Sequence, residues 1–178
     1  MNEPIEPYSP LARRLHWLTA LAIVVAFPLG VALDKASPAM MDTLYRAHWS
    51  FGLLALFLAV PRVANQLRGD TPGRYPGLTR FEAVASSIVH KLLYLLILAV
   101  PLAGWLGKSA YGGAITVFGL FDMPALLSQN QTLGERILTV HTSLAKLLAL
   151  CIVLHVAGAL KHAFINRDGV LKRMLPGR

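Results

Sequence analysis

Hydrophobic residues fall along this chain in four long blocks separated by polar segments. No charged side chain occurs between Arg14 and Asp34, which leaves Leu15 to Leu33 wholly uncharged. Ala47 to Pro61 is also uncharged but short, so this block takes length from flanking turns whose Arg46 and Arg62 can snorkel. Ala83 to Gly107 contains only Lys91, and Ile137 to Leu160 contains only Lys146. A helix needs about 20 mostly apolar residues to cross a bilayer. The pattern therefore predicts four spanning helices, at about 12–34, 43–66, 81–107 and 133–164.

The fold class that follows is all-α and integral to the membrane: an antiparallel four-helix transmembrane bundle forming one domain over 1–178. No internal repeat or low-complexity tract breaks it. Leu67 to Gly77 is polar and rich in Gly and Pro, and reads as a loop. Within Lys108 to Thr132, the apolar portion Ile115 to Leu127 contains Pro124 and is expected to form a short surface helix capping the bundle. Thr132 with Glu135 fits a capping box that opens the fourth helix. Pro28, Pro61 and Pro101 are expected to kink or end their helices.

Composition agrees with the blocks. The chain is 55% hydrophobic and 15% charged, where a soluble domain carries about 25% charged residues. The formal net charge is +8, but Lys and Arg gather at block ends and not in a patch on a soluble fold. That argues against a nucleic-acid partner and for the lipid bilayer. Arg13, Arg14, Arg62, Arg68, Arg74, Arg80, Lys91, Lys161, Arg167, Lys172, Arg173 and Arg178 fall on one side, twelve against five on the other (Lys35, Arg46, Lys108, Arg136, Lys146). The positive-inside rule then puts both termini in the cytoplasm, across a bacterial inner membrane. Met1 to Arg14 has two early glutamates and no cleavable apolar core, so no removable signal peptide is read there.

Ionisable groups inside spans cost several kcal/mol unless compensated, yet six histidines occur: His16, His48, His90, His141, His155 and His162. His141 and His155 are fourteen residues apart on one predicted helix. That is ~21 Å and close to four turns, so they share a face at opposite depths. Two such ligands can hold two stacked b-type haems. Depth matching pairs His16 with His155, and His48 with His141. Bis-His ligation leaves no open iron site and suits electron transfer. His90 competes with His16 at the same depth. A porphyrin lies flat on its ligating helix, and the residues one turn beyond the preferred ligands are small: Ala20, Gly52, Ala145, Ala159, with Gly158 beside the last. One turn beyond His90 stands Tyr94, which favours His16. There is no Cys-x-x-Cys-His for covalent haem attachment, and the single cysteine, Cys151, reads as a small buried apolar residue.

The run Arg14-Leu15-His16-Trp17, then His48, then His90-Lys91-Leu92-Leu93-Tyr94, then His141 with His155, resembles the prokaryotic cytochrome b561 family. Phe118-Gly119-Leu120 with Met123-Pro124, and Arg173-Met174-Leu175-Pro176, are similar to it too, so the likeness runs from about Tyr8 to Pro176. The family is related to the haem b subunits of membrane hydrogenases and formate dehydrogenases. The resemblance implies two b haems held by His16, His48, His141 and His155, a quinone site on the cytoplasmic side, and histidines matching His90 and His162 near the quinone. It also implies, for the best-understood member type, a superoxide oxidase that passes electrons from periplasmic superoxide to ubiquinone.

The reading is therefore transmembrane electron transfer from a small anionic donor or a periplasmic redox partner to ubiquinone. His90 and His162 are candidate proton relays at the quinone, with Trp17 as a ring-packing wall. Arg46, Lys108 and Arg136 are candidates for steering an anion, although Asp34, Asp42, Asp122 and Glu135 lie on the same side. The alternative is a haem-bearing membrane anchor exchanging electrons with a partner hydrogenase or dehydrogenase.

Overall fold

A computed structural model of the chain describes residues 6–69, 72, 73, 75 and 77–175. Features read from the sequence at Met1, Glu3, Arg74, Pro176 and Arg178 lie outside the described residues. Four long helices dominate: α1 (Pro10–Leu33), α2 (Pro38–Leu67), α3 (Arg80–Tyr111) and α4 (Gln131–Leu160). All four are long and apolar enough to cross a membrane. The last continues through a π-helical turn, Lys161–Asn166, and a 3-10 turn follows at Leu171–Arg173.

The helix starts follow local chemistry. Ser9 accepts a hydrogen bond from the Ala12 amide ahead of Pro10, and proline in the first turn forfeits no helical hydrogen bond. Thr79 and Glu82 form a reciprocal capping box at the head of α3. At α4 the expected cap is corrected. Asn130, not Thr132, is the N-cap, its side-chain oxygen taking the Leu133 amide at 3.0 Å. The helix thus starts before Thr132, which lies within its first turn. Its own Glu135 partner stands one turn into the helix.

A second correction concerns Ile115 to Leu127. It forms a two-stranded antiparallel hairpin, β1 (Ile115–Val117) and β2 (Phe121–Met123), and no surface helix. Three β-branched residues in a row favour the strand. The connecting Phe118 and Gly119 both have positive φ, 49° and 73°, the turn geometry that matches hairpin twist. Gly112 and Gly113, also at positive φ, end α3 before it. The hairpin packs Ile115 and Val117 on Leu53 and Leu56 of α2. Ser50, almost wholly buried, locks it there, donating to the Arg46 carbonyl at 2.7 Å and accepting from the Phe118 amide at 2.8 Å.

The core runs through the middle of the bundle, where Ala59 meets Leu96, Ile97, Val100, Leu148 and Cys151. Leu18, Leu21, Val24, Leu95, Leu150 and Val153 point outward, the exposed apolar belt of a lipid-facing bundle. Pro28, Pro61 and Pro101 all lie inside helices and end none of them. At the end opposite the hairpin the two termini are tied together: Tyr8 bonds the Arg173 carbonyl at 3.1 Å, Trp17 the Met174 carbonyl at 2.9 Å, and Arg13 the Leu175 carbonyl at 2.8 Å. Lys161 pairs with Glu82, joining the foot of α4 to the head of α3.

Candidate metal centre

The bundle brings the histidines together at two levels. At the hairpin end His48 of α2 faces His141 of α4, ring centres 6.1 Å apart. At the termini end His16 of α1 faces His155 of α4 at 6.2 Å. Two imidazoles on opposite sides of one metal, each bonded at about 2.0–2.1 Å, place their ring centres roughly 6 Å apart. Both pairs have that spacing. His90 of α3 touches His155 edge-on at 5.0 Å, closer than two ligands across a metal can stand.

At the hairpin end each imidazole is held in the same way. The His48 Nδ1 bonds the Ala26 carbonyl at 2.9 Å, and the His141 Nδ1 bonds the Val100 carbonyl at 2.8 Å. A carbonyl only accepts, so Nδ1 carries the proton and Nε2 keeps its lone pair for a metal. One turn beyond each carbonyl is a glycine. A Cβ on Gly30 would stand 2.8 Å from His48 Cε1, and one on Gly104 would stand 3.1 Å from His141 Cε1. Neighbouring helices thus supply both an acceptor and a notch: α1 for His48, α3 for His141. On the histidine-bearing helices themselves, Gly52 of α2 and Gly158 of α4 open onto free space with nothing within 4 Å of an added Cβ.

The termini end is built differently. The His16 Nδ1 lies 2.9 Å from an Arg62 guanidinium nitrogen, which can only donate. Arg62 also lies over the Tyr94 ring at 5.5 Å, and the Tyr94 hydroxyl reaches Gln66 at 3.1 Å. Arg62, Tyr94 and Gln66, with Tyr8, Ala12, Asn65 and Met174, line a shallow cleft open to solvent. Burial pushes the Tyr8 phenol above its ordinary range.

Other residues singled out by sequence are spread more widely. Trp17 stands edge-on to His16 at 5.1 Å. His162 partners Asp168 at 2.5 Å and Asn166 at 3.1 Å rather than the imidazole cluster. Burial raises the Asp168 carboxyl, but the Val170 amide and His162 outweigh it and hold the group below the usual carboxylate range. Arg46 is engaged by Asp42 at 2.7 Å. Lys108 bonds the Gly112 carbonyl at 2.6 Å and sits 4.9 Å over the Trp49 ring. Arg136 is exposed with no ion-pair partner among the described residues. Sequence reasoning missed Gly30, Gly104 and Ser50. It counted Arg62 only as a flanking charge, although its place just after Pro61 in an apolar run was a signal.

Among the described residues no three His, Cys, Asp or Glu side chains cluster to hold a bare ion. Two imidazoles per level at this spacing, small neighbours and open space suit an iron already carried by a macrocycle. The profile of the family described as prokaryotic cytochrome b561 matches residues 7–177. The chain belongs to the prokaryotic cytochrome b561 family. It is similar to "Cytochrome b561 homolog 2" of Escherichia coli (strain K12), 34% identical over 98% of this chain and 93% of that protein. It is also similar to "Probable superoxide oxidase CybB" of Yersinia pestis, 30% identical over 95% and 96%. A third relative, "Cytochrome b561 homolog 1" of Escherichia coli (strain K12), is 28% identical over 92% and 94%. Membership makes this a haem b protein of electron transfer in a bacterial membrane, an oxidoreductase by class.

Proposed function

We propose that this cytochrome holds two b haems, one between His48 and His141 and one between His16 and His155, and moves electrons from a periplasmic donor to ubiquinone. The observation that carries this is the two facing imidazole pairs at opposite ends of the bundle, 6.1 and 6.2 Å between ring centres. Bound between such a couple, a b haem supplies one-electron chemistry at an iron with no open position. The excess of Lys and Arg at the termini end supports placing that end in the cytoplasm.

Superoxide is the donor we favour, which the name of the Yersinia pestis relative supports. Two superoxide ions each lose one electron and become dioxygen. One ubiquinone gains both electrons and two protons and becomes the quinol. At the hairpin end the chain's own residues fix the imidazole tautomers through Ala26 and Val100, and Arg136 offers an exposed charge to an anion. At the termini end Asp168 accepts from the His162 Nδ1, which leaves the His162 Nε2 to pass a proton towards quinone. His90 and Trp17 border the imidazoles His155 and His16 there.

Two measurements test this. His141→Ala should leave the chain inserted with one haem in place of two, and retention of both ends the ligand scheme. Purified protein given superoxide and ubiquinone should show haem reduction followed by quinol formation. Absence of reduction by superoxide alone turns the reading to a membrane anchor fed by a partner hydrogenase or dehydrogenase.

A further inference from the structure

Arg62 is a half-buried cation within α2, and none of the three ion pairs among the described residues includes it. Its charge is permanent, because a guanidinium does not deprotonate in proteins. It lies against His16, 2.9 Å from Nδ1, and over the Tyr94 ring. A guanidinium only donates, so this contact uses His16 Nδ1 as an acceptor. When Nδ1 carries a proton instead, the Tyr94 ring face and the Gln66 oxygen on the same cleft wall offer the charge other neighbours.

The hairpin end has the opposite electrostatics. There both imidazoles give their Nδ1 protons to backbone carbonyls, Ala26 and Val100, whose oxygens are the negative ends of dipoles. A carbonyl acceptor makes an imidazole a stronger electron donor and favours the oxidised metal. Of the cations at that end, Arg46 is paired with Asp42, Lys108 bonds the Gly112 carbonyl over the Trp49 ring, and Arg136 is exposed to solvent, where its field is screened. A part-buried positive charge such as Arg62, with no ion-pair partner among the described residues, does the reverse and favours the form with one more electron.

Resting on the paired-histidine reading above, we propose that Arg62 sets the direction of electron flow, its fixed positive charge holding the termini-end haem more readily reduced than the hairpin-end haem. With haems bound at both pairs, transfer from the His48–His141 side to the His16–His155 side would then be the downhill direction. Arg62 is a positioning residue here. It stands beside a proposed ligand, within reach of the Tyr94 ring when His16 Nδ1 carries its proton, and does not touch the reacting atoms of donor or acceptor.

The test is a redox titration of the purified full chain, followed by haem absorbance. His141→Ala isolates the termini-end haem and His155→Ala the other. Adding Arg62→Gln or Arg62→Met to the first should shift its oxidised-to-reduced ratio at fixed potential at least tenfold towards oxidised, 59 mV for one electron. The same change added to the second should leave its ratio within twofold, and Arg62→Lys should restore most of the first. No shift, or an equal shift in both haems, overturns the proposal. If neither neutral variant keeps the haem, Arg62→Lys decides: haem retained with its midpoint in place supports the role of charge, and a lost haem or a tenfold fall overturns it. Haem content separates the two claims. Fewer than two haems in the unaltered chain overturns the histidine reading, whereas two haems with unmoved midpoints overturn only the role of Arg62.

Discussion

Gly30→Ala is the sharpest perturbation available at the hairpin-end pair. By itself, alanine in a helix interior is favoured over glycine by about 0.5–1 kcal/mol, so α1 has no intrinsic reason to weaken. The cost lies across the helix interface. The added Cβ would stand 2.8 Å from His48 Cε1, about 0.6 Å inside the 3.4 Å at which ordinary contact begins. The ring cannot simply swing, because its Nδ1 is held by the Ala26 carbonyl one turn earlier on the same helix. Ligand distances at a metal tolerate roughly ±0.2 Å, so on the proposed ligation a displacement of this size would break or tilt the bond from His48 to iron. Disturbing what orients a ligating histidine typically lowers metal affinity about 10–100-fold, and a similar loss is expected for this haem. Gly104→Ala is the graded companion. Its Cβ would meet His141 at 3.1 Å, so the ring needs to give only about 0.3 Å and the loss should be smaller. The assay is haem per polypeptide with the absorbance spectrum, and circular dichroism as a check on helix content. Gly30→Ala purifying with two haems and unaltered midpoints would refute the notch as a determinant of ligation.

Two further outcomes follow from the ends of the bundle. Ser50→Ala leaves the part-buried Phe118 amide without its 2.8 Å partner, a loss of about 1 kcal/mol. Amide exchange should accelerate through the hairpin while the helices keep their protection, and unchanged exchange at Phe118 would contradict the lock. The Asp168 carboxyl is held low, so it stabilises the C-terminal segment above the ordinary carboxylate value of 3.8. That contribution is lost as pH falls below this value and through the lowered one. Hydrogen exchange after Asn166 should loosen over this acid range in the parent chain, and Asp168→Asn should abolish the transition. An Asp168→Asn profile parallel to the parent would show that another group controls it.

Much of the architecture was legible in the chain because lipid imposes a one-dimensional rule. Backbone groups in hydrocarbon must bond within their own segment, so apolar length alone marks the helices. The blocks around Leu15 to Leu33 and Ala83 to Gly107 correspond to α1 and α3. Helix periodicity likewise placed His141 and His155 on one face. The aqueous ends obey local chemistry instead. There the apolar run Ile115 to Leu127 misled, since hydrophobic periodicity cannot separate a short helix from a hairpin. Positive φ at Phe118 and Gly119 decided it.

What the sequence determined by itself is therefore the number of helices, their order and the depth of each histidine, all of which follow from rise per residue and the thickness of a bilayer. What only the tertiary structure decided is which groups stand behind the histidines. His48 rests on Ala26 and Gly30, His141 on Val100 and Gly104, and His16 on Arg62. These partners come from other helices, 22, 41 and 46 residues away for the three hydrogen bonds. No periodicity along one helix encodes such neighbours, because they depend on how helices rotate about their axes when side chains interlock. Chain pattern set the depth of the histidines; packing set which groups meet their ring nitrogens.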